Sequence, residues 1–321
     1  MADVYVDNLS YSLGDRQFTV AQSAAEGRIV SDAAQLTDCG FRCHHVCSES
    51  ESSYTLACDA VQNIAADLGR VEAIVYSTCI PANASISEIQ EYKETGDVKH
   101  LMNYAGSHLQ AEFGLVEAQV FGIGQQACTG MIGSLRLAQM LINSDSEIDR
   151  VLCLTADRFP AGALYEQAYN LISDGAAACT VSRAPGAYKI IASHAITNGA
   201  MAAASDEETV GSFFTYSHLV ITKALAKAKL SVADIAWVAA QNTNAKAWQI
   251  LASLLKLDHK KVFHATLPDI GHMISGDNIA NLLSMEKQRM VQAGDKVLLF
   301  MAGFGLNWQC LILEKTNVRT H

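Results

Sequence analysis

The sequence predicts an α/β protein built from two successive halves with the same order of elements. Three observations carry that reading. Short runs of β-branched and small apolar residues alternate with longer segments of helical periodicity. A strand–helix–strand–helix–strand order, ending in paired strands, occurs twice. Half of the residues are hydrophobic and only 17% are charged, which is ample apolar surface for a sizeable core.

The segment from Gly27 to Ser53 reads as irregular, with CGFRCHHVCSESESS its least regular part. Beyond it, Tyr54–Leu68 reads as a helix and VEAIVYS (Val71–Ser77) as a buried strand. His100–Phe113 is a helix, Val116–Ile123 a strand, Gly130–Ile142 a strongly apolar helix, and Arg150–Ala156 and Gly175–Ser182 are strands. The second half follows with strand Tyr188–Thr197, helix Tyr216–Lys229, strand Ile235–Gln241 and helix Ala245–Leu255. Strand Val262–Ala265, helix Asn278–Gln292, and strands Lys296–Ala302 and Trp308–Glu314 close the chain. The expected division is residues 1–184 and 185–321, giving two parallel-rich sheets. A helix buried between them explains why 130–142 is apolar nearly all round.

Composition excludes several functions. A net charge of −10 argues against nucleic acid, which needs clustered Lys and Arg. No stretch is long and apolar enough for a membrane helix, and MADVYVDNLSYSLG lacks the basic and apolar regions of a signal peptide. A soluble cytoplasmic protein is expected. The nine cysteines lie mostly in apolar runs and do not form a secreted disulfide pattern.

One of them stands apart. VFGIGQQACTGMIGSLRLAQ reads as a strand, a tight turn, Cys128 and then a helix. A thiol at a helix N-terminus faces unpaired N–H groups and the positive end of the dipole, which is expected to lower its pKa. Gly130 permits close approach of a substrate or another chain. This is the setting of a nucleophilic Cys. The same stretch fits a dinucleotide fingerprint, Gly122-Ile123-Gly124-Gln125-Gln126-Ala127. It follows two earlier β-α units, whereas such a site opens its domain, so no nicotinamide is expected.

These residues, with ISDGAAACTVS some forty-five residues later, resemble the nucleophile region of the β-ketoacyl-ACP synthase III family. AIVYSTCIP resembles the family's earlier strand, TDCGFR a shortened T-G-I-x-x-R element, and KVLLFMAGFGLNWQCLIL its closing hairpin. The resemblance implies the thiolase fold: duplicated βαβαβαββ halves in a five-layered α-β-α-β-α arrangement. It also implies acyl loading on Cys128 from an acyl carrier protein (ACP) or coenzyme A thioester, no further cofactor, and a homodimer whose loop near residues 80–105 reaches the neighbour's pocket.

The family's catalytic His and Asn are altered. In Gln241-Asn242-Thr243-Asn244, Gln241 stands at the His position and Asn244 matches the motif's Asn. In Gly271-His272-Met273-Ile274-Ser275, His272 stands at the Asn position. Gln donates from its amide but cannot shuttle a proton, whereas His does both. The resulting Cys–His set suits acyl transfer. The G-H-x-x-S-G-D run resembles a natural-product branch of the family that moves acyl groups onto a hydroxyl or amine. Asp277 reads either as the group orienting His272 or as a first-turn acid of the next helix.

The expected enzyme is therefore an acyltransferase in fatty-acid-like or polyketide biosynthesis. Cys128 is its nucleophile, His272 its base, Gln241 and Asn244 polarise the substrate, and the backbone N–H groups of Cys128 and Phe304 form the oxyanion hole. The acceptor is a small molecule or a carrier-bound group. Claisen condensation with malonyl-ACP and a weakly active subunit of a heterodimer are the alternatives. Cys39, Cys43, Cys47, His44 and His45 lack zinc or iron–sulfur spacing, so no metal is expected. Only Arg28 and Arg42, and no early Trp, lie where the family grips coenzyme A, which favours a carrier protein.

Overall fold

The computed structural model describes residues 2–318 apart from Glu88, Tyr169, Ala204, Ser205 and Gly305. In the first half the main strands are β1 (Tyr5–Leu13), β2 (Ala73–Ser77), β3 (Gln119–Ile123), β4 (Arg150–Asp157) and β5 (Gly175–Ser182). In the second they are β6 (Tyr188–Thr197), β7 (Ile235–Ala239), β8 (Val262–Phe263), β9 (Lys296–Gly303) and β10 (Asn307–Lys315). The main helices are α1 (Ser53–Gln62), α2 (Ala105–Glu112), α3 (Gly130–Ser144), α4 (Asp206–Ala228), α5 (Ala245–Leu255) and α6 (Asp277–Lys287).

The strand order is β8-β7-β9-β10-β6-β1-β5-β4-β2-β3. Read outward from the middle, the halves run β1-β5-β4-β2-β3 and β6-β10-β9-β7-β8, so the second repeats the first strand for strand. They meet at a short seam, where Tyr5 faces Lys189 and Val6 faces Tyr188. Parallel pairing is confined to the β2 and β7 neighbourhoods. The remaining pairs are antiparallel, so the halves are mixed rather than parallel-rich. Each half returns its last strand beside its first, and that return reverses direction.

Strand alternation builds three cores. On β4, Val151 and Cys153 face the middle of the molecule, while Leu152, Leu154 and Ala156 face outward onto α1 and α2. On β9, Val297, Leu299 and Met301 face the middle, while Leu298 and Phe300 face outward onto α4 and α5. The middle core is completed by α3 and α6, which lie between the two sheets. The layers are thus helix, sheet, helix, sheet, helix, and burial on both faces explains the nearly unbroken apolar runs of β2, β4 and β5.

Several expectations need correction. β1 is absent from the sequence reading; its alternating polar residues hide it. The supposedly irregular 27–53 region contains helix Ala33–Asp38 and strand Cys43–Val46, which pairs with Arg16–Thr19. The helix expected from Tyr216 already begins at Asp206. Finally, α3 is not apolar-buried all round: Met131, Ile132, Leu135 and Ala138 are buried, but Met140 is 57% exposed. The helix lies at the margin of the middle layer and leaves one stripe uncovered.

Leu135 is fully buried in that layer. Leu135→Ala is expected to cost about 2–5 kcal/mol, read as a lowered urea midpoint. A cost under about 1 kcal/mol would mean that the two sheets are not closely packed across α3.

Candidate active site

Cys128 sits where β3 turns into α3, in the short Ala127–Thr129 turn of 3-10 helix. Three separate elements pin this elbow. The Thr129 hydroxyl donates to Gln126 O at 2.6 Å, and the Gln309 amide from β10 donates to the Thr129 hydroxyl at 3.0 Å. Ser275 Oγ donates to Ala127 O at 3.0 Å. Gly303, at the end of β9, lies so close that a Cβ there would sit 2.8 Å from Cys128 N. Only glycine allows that approach, and the turn that follows brings Phe304 to the cavity lined by Cys128.

His272 lies in the loop between Gly271 and α6. Its N–H donates to Leu171 O at 2.8 Å, and Ser173 N–H donates to its carbonyl at 2.9 Å. The S-D-G run after β4 therefore holds the His backbone. Ser173, which occupies a usual glycine position of the family motif, uses its hydroxyl to donate to Ile270 O at 2.6 Å and to accept from His45 N–H at 2.9 Å. A Cβ at Gly271, which has φ 61°, would meet Leu171 O at 2.9 Å. Left-handed backbone recurs at Ala127 (φ 45°) and Ile274 (φ 45°). Such strain costs on the order of 1–3 kcal/mol per residue, and here it flanks both the Cys and the His.

The imidazole is oriented from behind. Its Nδ1 lies 2.6 Å from Asp277 Oδ2, in a buried contact. Asp277 also accepts from Asn242 N–H and Met273 N–H, each at 2.7 Å. A carboxylate at Nδ1 fixes the proton there and leaves Nε2 as the basic nitrogen. Asp277 is also the first residue of α6, so both sequence readings of it describe one geometry.

Cys128, Gln241, Asn244, His272 and Phe304 line one cavity of about 260 Å³. Its apolar wall includes Ile172, Phe213, Phe214, Leu306 and Trp308. The two amides are less free than expected. Gln241 donates from Nε2 to Ala302 O at 2.8 Å and accepts Ala302 N–H on Oε1 at 2.9 Å, so a single amide hydrogen remains. Asn244 caps α5 by accepting Lys246 N–H at 2.9 Å, and its Nδ2 contacts Cys39 Sγ at 2.9 Å. Here too a single amide hydrogen remains.

The expected lowering of the Cys128 pKa is overturned. Hydrogen-bonding contact with the Cys79 thiol, burial, and the nearby charges of Asp277 and Asp157 raise it well above the usual thiol range. The resting group is a neutral thiol. The Cys39–Cys47 region holds hydrogen bonds of its own. His44, pushed down to about 4 by burial, lies between Ser23 Oγ and Ile172 O, and Cys43 donates to Asp269 O. Among the described residues no three His, Cys, Asp or Glu side chains group as metal ligands.

Asp157 was not singled out in the sequence. It closes β4 and accepts from Cys79 N–H, Ile80 N–H and the Asn83 amide. Burial nevertheless raises its pKa from 3.8 to about 6.

The comparisons agree with this architecture. Residues 124–199 match the family model for 3-oxoacyl-[acyl-carrier-protein (ACP)] synthase III, and residues 225–315 match the model for its C-terminal part. The β-ketoacyl-[acyl-carrier-protein] synthase III of Chlamydia caviae is 24% identical, over 89% of this chain and 89% of its own. The crystal structure of 3-oxoacyl-(acyl carrier protein) synthase III from Pseudomonas aeruginosa PAO1 superposes with a TM-score of 0.81 at 20% identity, covering 99% of both chains. ChlB3, described as an acyltransferase, gives 0.80 at 16% identity over 98% of both chains.

The raised Asp157 pKa has a defined sign. Between pH about 4 and 6 the folded chain holds a proton that the unfolded chain has released, so stability falls as pH rises through that window and levels off above it. The contribution is on the order of 3 kcal/mol. Urea titrations of the wild type and Asp157→Asn are expected to differ in this window by that pH slope. A difference independent of pH would show that the carboxyl is unshifted.

Proposed function

The chain belongs to the 3-oxoacyl-[acyl-carrier-protein] synthase III family, and from that premise we propose that it is an acyltransferase working through a Cys128–His272–Asp277 relay. The observation that carries the reading is the 2.6 Å contact between His272 and a buried carboxylate, behind a ring that shares its cavity with the thiol. Condensation by decarboxylation asks for groups that donate to an enolate. A carboxylate-backed imidazole is instead a proton acceptor, suited to deprotonating a thiol and then a hydroxyl or amine.

In the first step His272 Nε2 takes the Cys128 proton as the sulfur attacks the thioester carbonyl. The backbone N–H groups of Cys128 and Phe304 stabilise the oxyanion, and the carrier thiol leaves with the proton from His272. In the second step the same nitrogen deprotonates the acceptor, which displaces Cys128. The remaining Gln241 amide hydrogen polarises the carbonyl, while Asn244 positions α5 and the cavity wall.

An acyl carrier protein is the favoured donor. Arg28 donates to Glu26 at 2.8 Å and Arg42 pairs with Asp269, so each of these guanidiniums has a carboxylate partner that the phosphates of coenzyme A would have to displace. The homodimer expectation draws support from the 80–105 segment, which exposes Ile89 (63%), Val98 (56%) and Met102 (52%); a second copy covering them would explain such a patch.

Three measurements test this reading. Intact-mass analysis after exposure to acyl-ACP and acyl-CoA donors is expected to show one acyl group on the wild type and none on Cys128→Ala; a labelled Cys128→Ala excludes the assigned nucleophile. His272→Ala and Asp277→Asn are each expected to slow transfer by about 10²–10⁴-fold while keeping the circular dichroism of the parent. Carbon dioxide release with a chain-extended product from malonyl-ACP would make the enzyme a condensing synthase instead.

A further inference from the structure

A second thiol stands beside the nucleophile and takes no part in the proposed transfer. Cys79 follows β2 and Cys128 follows β3, and these strands are parallel neighbours with Ser77 opposite Ile123. Thr78 N–H donates to Ile123 O at 3.0 Å, so the chains stay together beyond the strand ends. Ser77 Oγ and Cβ lie 3.1 and 3.2 Å from where a Cβ on Gly130 would be, which carries the adjacency to the start of α3. Cys79 packs on the middle core that contains Cys128, and the two thiols are in hydrogen-bonding contact.

Cys79 is also held in place. Its N–H donates to both oxygens of Asp157, at 3.0 and 2.9 Å, and the next N–H, of Ile80, donates to the same carboxylate at 3.0 Å. A second thiol pair, Cys153 and Cys179, faces across β4 and β5, but both side chains are fully buried. Only the Cys79–Cys128 pair borders the cavity, through Cys128.

We propose that Cys79 is the resolving thiol of Cys128, and that the two form a reversible intramolecular disulfide that protects the nucleophile from irreversible oxidation and suspends acyl transfer. The oxidant is a hydroperoxide. Cys128 sulfur, deprotonated by the cavity base, attacks hydrogen peroxide; an S–O bond forms, the O–O bond breaks and one water leaves. Cys79 sulfur then attacks the sulfenic sulfur of Cys128; the S–S bond forms, the S–O bond breaks, and a second water leaves with the Cys79 proton. Two thiols are oxidised and one peroxide is reduced to two waters. A dithiol reverses the change.

The chain is suited to a direct test, because the tryptic peptides spanning residues 71–93 and 100–136 each contain a single cysteine, Cys79 and Cys128. Purified reduced protein is treated with hydrogen peroxide, alkylated, digested and weighed. The wild type is expected to yield the two peptides joined and lighter by two hydrogens, with acyl loading lost and then restored by dithiothreitol. In Cys79→Ser, peroxide is expected to drive Cys128 to the sulfinic or sulfonic acid, beyond rescue by dithiothreitol. Absence of the 71–93/100–136 link in peroxide-treated wild type overturns the proposal, as does a Cys79→Ser protein whose Cys128 peptide stays as little over-oxidised as that of the wild type. The link is read by mass alone, so it is decided even if Cys128 carries no acyl group; only the effect on transfer rests on the role assigned to Cys128 above.

Discussion

The buried carboxylate of Asp277 is the point on which the site turns. It is fully enclosed, and a bare charge there would be costly. Its hydrogen bonds offset that cost, and they come from two separate parts of the chain. His272 contributes its ring, Met273 the backbone of the loop, and Asn242 the backbone beyond the end of β7. The group that orients the imidazole therefore also fixes the position of Gln241, one residue before Asn242. Around it, Asn242, Asn281 and Thr266 share further buried hydrogen bonds, so the loop carrying His272 has little freedom to move.

The duplicated topology explains why Cys and His meet. The α3 and α6 helices stand at equivalent places in the two halves, each preceding the fourth strand of its half. Both lie in the middle layer. Cys128 precedes the first and His272 the second, so the repeat brings two helix beginnings together from opposite halves. Contacts across the seam hold the arrangement: Ser275 from the His loop binds the Cys elbow, and Gly303 from β9 rests against it. The Cys79 contact and burial favour the neutral thiol, and the same architecture puts the His272 ring on the cavity that Cys128 lines.

Much of the fold was legible because β2, β4 and β5 are buried on both faces and so read as apolar runs. Cys128 and His272 stood out through the family resemblance of their motifs, and the two line one cavity. β1 was not legible, because YVDNLSYSL carries polar residues that only tertiary partners satisfy. Ser10 donates to Ala60 O and Ser12 to Leu56 O, both on α1, while Asn8 is left-handed at a register shift. The pKa of Cys128 was misjudged for a similar reason. A helix N-terminus is visible in sequence, but the Cys79 thiol, Asp157 and Asp277 arrive through folding. Asn244 carried a motif match that says nothing of its cap role, which depends on Cys39 and Lys246.

The seam between the halves also governs the order in which the chain can assemble. β1 leaves the ribosome well before its partners: Leu13 faces Gly175, Tyr5 faces Ser182, and Val6 faces Tyr188. The strands it pairs with lie more than a hundred residues further along the chain. Pairing at such sequence separation is slow, because the intervening loop must close before contacts reward it. Until then the strand's polar residues keep it solvated. The features that concealed β1 from a reader of the sequence are thus the ones that keep a nascent, unpartnered edge from sticking to its neighbours.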